Sequence, residues 1–544
     1  MIRLQKLYGR SLRAALRHPV ISVIVFAASL GSAGVLFTQI PSEYAPSEDR
    51  GVFFVIVTGP EGATFSYIEE YMTEIESRLL PYIESGEARR LLVRSPGGFG
   101  SGAAFNSGRV VLVLNDWSMR RPGAEIMAEV RERLSGLPGV RAFPVMRQGF
   151  GAGIQKPVQF VIGGGTYEEL SDWRDILLEK IAESNPGLDG IDWDYKETKP
   201  QLEVDVDYDR ASELGVTINE IGRTLETMLG SRRVTTYVDG GEEYDVLLEG
   251  ERDDQRTPTA LESIYVRSDR TGELIPLSNL VSVREFADSA SLNRYNRVRS
   301  ITLEANLKDG LVLGDALAYL EQLAREHLPE TAIIDYKGQS RDFQESGSSM
   351  AFVFILGIVV VFLVLAAQFE SYVHPLVIIL TVPLAVAGGL FGLYITGNSL
   401  NIYSQIGLIM LVGLAAKNGI LIVEFANQLR DEGTNFDAAL LEAARVRLRP
   451  ILMTGITTVA GAIPLVTSFG AGAETRIVIG VVVISGVLVA TVLTLYIVPV
   501  GYSLLARKTG SPGDVGRRLI EESRGTEAAI LQPTQRDDEM ISKV

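Results

Sequence analysis

The stretch IYSQIGLIMLVGLAAKNGILIVEFA, Ile402–Ala426, decides how this chain reads. It is long enough to cross a hydrocarbon core, which takes about 20 predominantly apolar residues. One cation, Lys417, sits well inside it. An ammonium at that depth costs about 2.5–3.5 kcal/mol on insertion scales, so a partner and a function are expected. The acid in the same run is Glu424. Seven residues of helix separate the two, about 10 Å of rise, which is too far for a direct pair. No Asp occurs in any apolar span of the chain. Snorkelling is the ordinary alternative, but the Lys417 stem would have to cover about ten residues of helix to reach water. The missing counter-charge is therefore the main clue.

Working outward, further spans of crossing length are Val20–Ile40, Met350–Phe369, Pro375–Thr396, Pro450–Phe469 and Ile477–Leu505. The last is longer than a bilayer needs and is expected to tilt or project. The layout is a segment 1–19, a first transmembrane helix at 20–40, a large polar insert at 41–349, and five transmembrane helices within 350–505. The tail 506–544 is charged and without apolar periodicity, which reads as disorder. Arg3, Lys6, Arg10, Arg13 and Arg17 precede the first span and place the N-terminus in the cytoplasm. Alternation puts Arg430, Arg445, Arg447, Arg449, Arg507 and Lys508 on the same side and the insert outside; the loop carrying Arg476 runs against the rule. The first apolar run is too long for a cleaved signal core and reads as a retained helix.

Composition agrees with a membrane protein that has a substantial soluble part: 46% hydrophobic residues and a mean hydropathy of +0.18 over 544 residues. A net charge of −16 argues against nucleic acid as a partner, because phosphate binding needs clustered cations. Cysteine is absent, so disulfides and thiolate metal sites are excluded. The three histidines, His18, His327 and His374, lack ligand spacing, and neither a metal nor a cofactor is indicated. No nucleophile–base pair or phosphate loop suggests an enzyme.

The insert reads as α+β. Gly51–Thr58 alternates as a strand, Thr64–Tyr82 has helical spacing, and Arg89–Arg94 and Arg109–Asn115 look like strands. A helix at Ala124–Leu137 and a strand near Val140–Val145 complete a split βαβ unit, about 41–150. A second begins near 155, with a strand at Val158–Gly163, a helix at Thr166–Ser184, strands near Gly190–Asp194 and Gln201–Asp207, and a helix at Ile218–Leu229. Its last part, 299–349, carries Ser300–Leu307, Leu313–His327 and Ala332–Tyr336. The excursion between them is expected at 232–298.

With this layout, several long motifs resemble the C-terminal half of a resistance-nodulation-division (RND) efflux transporter of the hydrophobe/amphiphile branch. They are FTQIPSEYAPSEDRGVFFV (Phe37–Val55), GGFGSG (Gly97–Gly102), LGVTINEIGRTL (Leu214–Leu225), FESYVHPLVIILTVPLAVAGG (Phe369–Gly389), GLAAKNGILIVEFAN (Gly413–Asn427) and RVRLRPILMTGITTVAGAIPL (Arg445–Leu465). The resemblance runs from about Leu7 to Ala506. It implies an α-helical integral membrane protein of six transmembrane helices in the inner membrane. The periplasmic insert would be made of ferredoxin-like porter subdomains plus a docking subdomain.

The resemblance also implies roles. Lys417 would be the fixed positive charge facing paired aspartates of a missing N-terminal half, in a proton relay with Thr454, Asn418 and Arg447. Thr454 has the ordinary alternative of bonding back to a helix carbonyl, and Arg447 that of a positive-inside anchor. Gly98, Phe99 and Gly100 match a flexible loop dividing substrate pockets, although the motif alone reads as a Gly-rich turn. Arg94 and Val111 stand where family members often carry rings, which implies a less aromatic pocket wall. The implied partners are the missing half, a homotrimer, a periplasmic adaptor, an outer-membrane channel and small-molecule substrates. The implied activity is drug/proton antiport, with a heavy-metal or narrow-substrate exporter and a non-transporting orphan half as alternatives.

Overall fold

The computed structural model describes residues 2–98, 104–146, 155–251, 257–308, 310–510 and 513. The chain opens with helix α1 (Ile2–Arg17) and helix α2 (Pro19–Gln39), which starts with proline at its first position, where no N–H is needed. Strand β1 (Val52–Thr58), helix α3 (Phe65–Glu84), strands β2 (Ala88–Arg94) and β3 (Ser107–Leu114), helix α4 (Gly123–Ser135) and strand β4 (Arg141–Met146) follow. They build an antiparallel sheet of order β2-β3-β1-β4. Phe53, Val55 and Val57 of β1 are fully buried, as are Ile68, Ile75 and Leu79 of α3 and Ile126 and Val130 of α4. Each such aliphatic side chain taken from water contributes about 1.5–3 kcal/mol. Gly108 on β3 lets α3 approach: a Cβ there would lie 2.2 Å from Met72 Sδ.

Strand β5 (Val158–Gly163), helix α5 (Tyr167–Ser184) and strand β6 (Leu188–Trp193) begin a second sheet. Thr166 and Glu169 form a capping box at the start of α5. Residues 195–293, with 59–64, then form a separate unit. It holds strand β7 (Lys199–Val206), helices α6 (Tyr208–Glu213) and α7 (Ile218–Gly230), and strands β8 (Arg232–Asp239), β9 (Glu242–Leu248), β10 (Tyr265–Arg267), β11 (Leu274–Pro276) and β12 (Val281–Asp288). Its strands pair as β7–β12, β8–β9 and β10–β11 around a core that includes Ile221, Val266, Leu277 and Leu280.

Strands β13 (Arg294–Tyr295) and β14 (Val298–Leu307), helix α8 (Leu313–His327) and strand β15 (Ile333–Tyr336) return to the second sheet. Its four principal strands run β6-β14-β5-β15, the same order as the first sheet. This differs from the expected assignment at one point. The strand at Gln201–Asp207 and the helix at Ile218–Leu229 belong to the excursion, which spans 195–293 rather than 232–298. The third strand of the sheet is β14. A central strand is covered on both faces and paired on both edges. Ser300, Ile301, Thr302, Leu303 and Ala305 of β14 are buried, whereas Leu202 of β7 is 46% exposed.

The remaining elements are helices α9 (Gly338–Phe369), α10 (Val373–Ile379), α11 (Thr381–Thr396), α12 (Ile402–Asp431), α13 (Phe436–Val466) and α14 (Ala473–Leu505). Six helices among the described residues are long and apolar enough to cross a membrane, counting Val373–Thr396 as one. That one breaks at Leu380, where Pro383 supplies no N–H to the carbonyl four residues back. Small residues let these helices approach closely: a Cβ on Gly388 of α11 would lie 2.6 Å from Val489 Cβ of α14.

One ion pair pins the first sheet. The Arg120 side chain is fully buried and its guanidinium grips both Asp49 oxygens at 2.8 Å. Gly123 N and Gly51 N donate to the same carboxylate at 2.7 and 3.0 Å. Burial alone would raise the Asp49 pKa, but Arg120 and the two amides outweigh it and hold the carboxyl below its usual value. Asp49→Ala should cost about 3–5 kcal/mol, because it strands a buried guanidinium; denaturant unfolding followed by tryptophan fluorescence checks this. Since the folded-state pKa is depressed, the wild-type contribution is intact at neutral pH and disappears as pH falls through that lowered value.

Candidate functional site

Helix α12 presents two faces of opposite character. Its 30 residues rise about 45 Å. Leu408, Leu411, Ala415, Ala416, Ile422 and Val423 are buried against neighbouring helices. On that side a Cβ on Gly407 would lie 3.0 Å from Val482, and one on Gly419 would lie 3.3 Å from Ile378. The opposite side carries Ile406, Met410, Gly413, Lys417, Glu424 and Gln428, all exposed. A Cβ on Gly413 would meet nothing within 4 Å. Spacings of three, four and seven residues put these side chains on a single stripe.

Both ends of α12 are fastened. Asn401 caps the first turn, its Oδ1 accepting from Tyr403 N and Ser404 N at 3.0 Å, and Asn401 N donates in turn to Ser404 Oγ at 2.8 Å. The segment after α2 zips onto this start: Leu400 N donates to Pro41 O (2.8 Å), Glu43 N to Leu400 O (3.1 Å) and Ile402 N to Tyr44 O (3.2 Å). Ser399 Oγ donates to the Glu43 carboxylate, whose pKa is raised by burial. Ser42 O also accepts from Gly314 N at the start of α8 (3.1 Å), so α12 and the second sheet share this strap. At the far end Tyr502 Oη donates to Asn427 Oδ1 (2.6 Å) and Arg430 donates to Tyr502 Oη (2.7 Å).

Lys417 is exposed on the open stripe and forms no ion pair among the described residues. Asn418 does not join it. Consecutive helix residues point about 100° apart, and Asn418 is buried on the closed face, donating to Thr491 Oγ1 of α14 at 3.3 Å. Thr454 of α13 is half-buried, and its hydroxyl donates to Ile451 O at 3.2 Å, the local back-bond. Arg447 lies over the Phe425 ring, 4.5 Å from its centroid, with its Nε buried and unpartnered among the described residues. Phe425 is eight residues beyond Lys417, about 12 Å along the helix. The four residues therefore do not form one hydrogen-bonded cluster.

Of the expected substrate residues, Arg94 and Val111 fall on strands β2 and β3 of the first sheet. Phe99 and Gly100 lie outside the described residues. Arg94 donates to Gly98 O at 2.5 Å. The register aligns Val111 with Phe54 and Leu92, and Arg109 with Ile56 and Arg94. Phe143 and Val145 of β4 stand opposite Ile56 and Phe54. Directly opposed residues share a face, so Arg94 and Val111 belong to a broad apolar surface on the side away from α3 and α4. Phe54, Ile56 and Phe143 share that surface, and the alternation in β1 marks Phe54 and Ile56 as its outer set.

A cavity of about 410 Å³ opens between α2, α9, α11 and α12, lined by Phe37, Met350, Phe354, Leu390 and Leu408. Glu43 and Gln405 supply polar groups there, and Gln405 Oε1 is buried without a hydrogen-bond partner among the described residues.

Comparison with known proteins gives this geometry a family. Residues 1–506 match the profile of the AcrB/AcrD/AcrF family. An uncharacterized transporter of Haemophilus influenzae is 34% identical over 89% of this chain and 47% of its own length. The multidrug/solvent efflux pump membrane transporter MepB of Pseudomonas putida is 34% identical over 93% of this chain and 48% of its own. The toluene efflux pump membrane transporter TtgE of Pseudomonas putida is 32% identical over 92% and 48%. The chain thus spans about half the length of the curated relatives it matches. With a match over residues 1–506 of 544, the chain belongs to the AcrB/AcrD/AcrF family of RND transporters and is a protein of the inner membrane.

Proposed function

We propose that this chain is the C-terminal half of a proton-driven exporter of hydrophobic and amphiphilic compounds. The observation that carries this reading is the open stripe of α12, where Lys417 has no ion-pair partner among the described residues. A second half bearing paired carboxylates would close the stripe. Two carboxylates beside one ammonium titrate as a coupled set, so a proton gradient can switch their pairing with Lys417. Pairing and release would tilt or shift α12, and the Pro41–Tyr44 strap offers a contiguous path from its start to α8 and the second sheet. Thr454 and Arg447 would act only once the second half reorganises their surroundings, since each now has another contact.

The substrate surface in this proposal is the outer face of the first sheet, with Phe54, Ile56, Val111 and Phe143 as apolar contacts and Arg94 beside the Gly98 loop. Compounds dissolved in the bilayer would enter through the cavity lined by Phe37, Phe354 and Leu408. The relatives described as solvent, toluene and antibiotic efflux pumps support that substrate class. Assembly as a trimer of complete protomers with a periplasmic adaptor and an outer-membrane channel belongs to the same proposal.

In vesicles carrying this chain with its complementary half, a proton gradient should drive dye efflux, whereas the chain alone should give background flux; equal flux from the lone chain would contradict the proposal. Lys417→Ala in the complete assembly should reduce efflux to that background while leaving membrane insertion unchanged, as read by carbonate extraction. Phe54→Ala should lower transport of apolar dyes on the order of 2- to 10-fold, the worth of one aromatic contact, with unchanged protein levels on immunoblots.

A further inference from the structure

Helix α1 is a cationic island on an acidic protein. The chain carries a net charge of −16, yet α1 holds Arg3, Lys6, Arg10, Arg13 and Arg17 and no acid. All five are exposed and none forms an ion pair among the described residues. Their spacing of three and four residues lines them along one stripe.

Two further stripes complete the helix. Tyr8 and Leu12 are 5% and 0% exposed and anchor α1 to the helix bundle. Tyr8 Oη donates to Leu495 O at 2.6 Å, Ser11 Oγ lies 3.1 Å from Tyr496 Oη, and Gln5 Nε2 donates to Arg445 O at 3.4 Å. Leu4 and Leu7, with Ala14, form the third stripe, and the two leucines are 45% and 64% exposed. On a soluble protein that third stripe would be a liability. Beside α2, which is long and apolar enough to cross a membrane, such a stripe flanked by cations has the pattern of an interfacial helix.

We infer that α1 is a binding site for anionic phospholipid, with the five-cation stripe on the headgroup phosphates and Leu4, Leu7 and Ala14 against the acyl chains. The occupant follows from the charge: unpaired guanidinium and ammonium groups call for phosphate, and the neighbouring apolar stripe calls for a lipid rather than a soluble anion. Arg445 of α13, packed within 3.2 Å of the position a Cβ on Gly9 would take, is already paired with Glu442 at 3.2 Å, which leaves the five cations of α1 as the unpaired set.

The chain has no cysteine, so one fluorophore can be placed by Ala14→Cys in the full chain. The labelled protein is reconstituted in vesicles of equal phosphatidylglycerol and phosphatidylcholine, with one lipid or the other brominated as quencher. Brominated phosphatidylglycerol should quench more strongly, with an enrichment of about fivefold or more, the effect of roughly one surface cation. The triple change Arg3→Gln, Arg10→Gln, Arg13→Gln should remove the preference, and the same three positions changed to Lys should keep it. On the unchanged helix the preference should fall as salt rises from about 0.05 M to about 0.5 M, as the screening length shortens, which reads the charge without a variant that might misfold. Equal quenching by both lipids, a preference that survives the Gln changes, or a preference insensitive to salt would overturn the inference. Equal quenching would leave an acidic protein segment as the partner of the stripe.

Discussion

A charged amine on a membrane helix has to be matched by an acid, by water or by an escape to the interface, and this requirement organises the chain. Lys417 sits mid-way along α12, on the side left exposed among the described residues. The closed side is built of small and aliphatic residues that let α10, α11 and α14 pack against it, with Gly407 and Gly419 at close approaches. The open side carries the single lysine, an exposed glycine with empty space beside it, and an acid too distant to pair. One helix thus divides into a packed face and an exposed face.

The capping box at Asn401 and the Tyr502–Asn427 and Arg430–Tyr502 contacts fasten the two ends of α12. The strap from Pro41 to Tyr44 joins the same helix start to α8 through backbone hydrogen bonds, with the Ser399–Glu43 side-chain bond beside them. Charge on α12 and the position of the second sheet are therefore connected by short, directional bonds. In the membrane, where water is scarce, such bonds are retained because a lost backbone partner is costly.

Much of the fold was legible because its signals are local. Alternation in β1, the apolar runs of the membrane helices and the span Leu313–His327 of α8 come directly from residue patterns. The excursion was misjudged because strand order is not local: β7 alternates well enough to be a strand, and only the heavier burial on β14 identifies the central one. At the site, the absent acid beside Lys417 was visible in composition. The turning of Asn418 to Thr491 was available from the helical angle between neighbours. The stacking of Arg447 on Phe425 was not, since it depends on where α13 crosses α12. Phe54 and Phe143 come together only through the register of β4 on β1, which no single segment encodes.

The central claim, that the Lys417 face of α12 is an interface left open by this chain, has a direct test in a cysteine-free protein. Gly413→Cys places a thiol on the stripe, and its reaction with a membrane-permeant maleimide can be followed in vesicles with and without the complementary half. The account predicts rapid labelling of the lone chain and strong protection once the second half is present. A thiol already protected in the lone chain, or labelled at the same rate in the complete assembly, would contradict it.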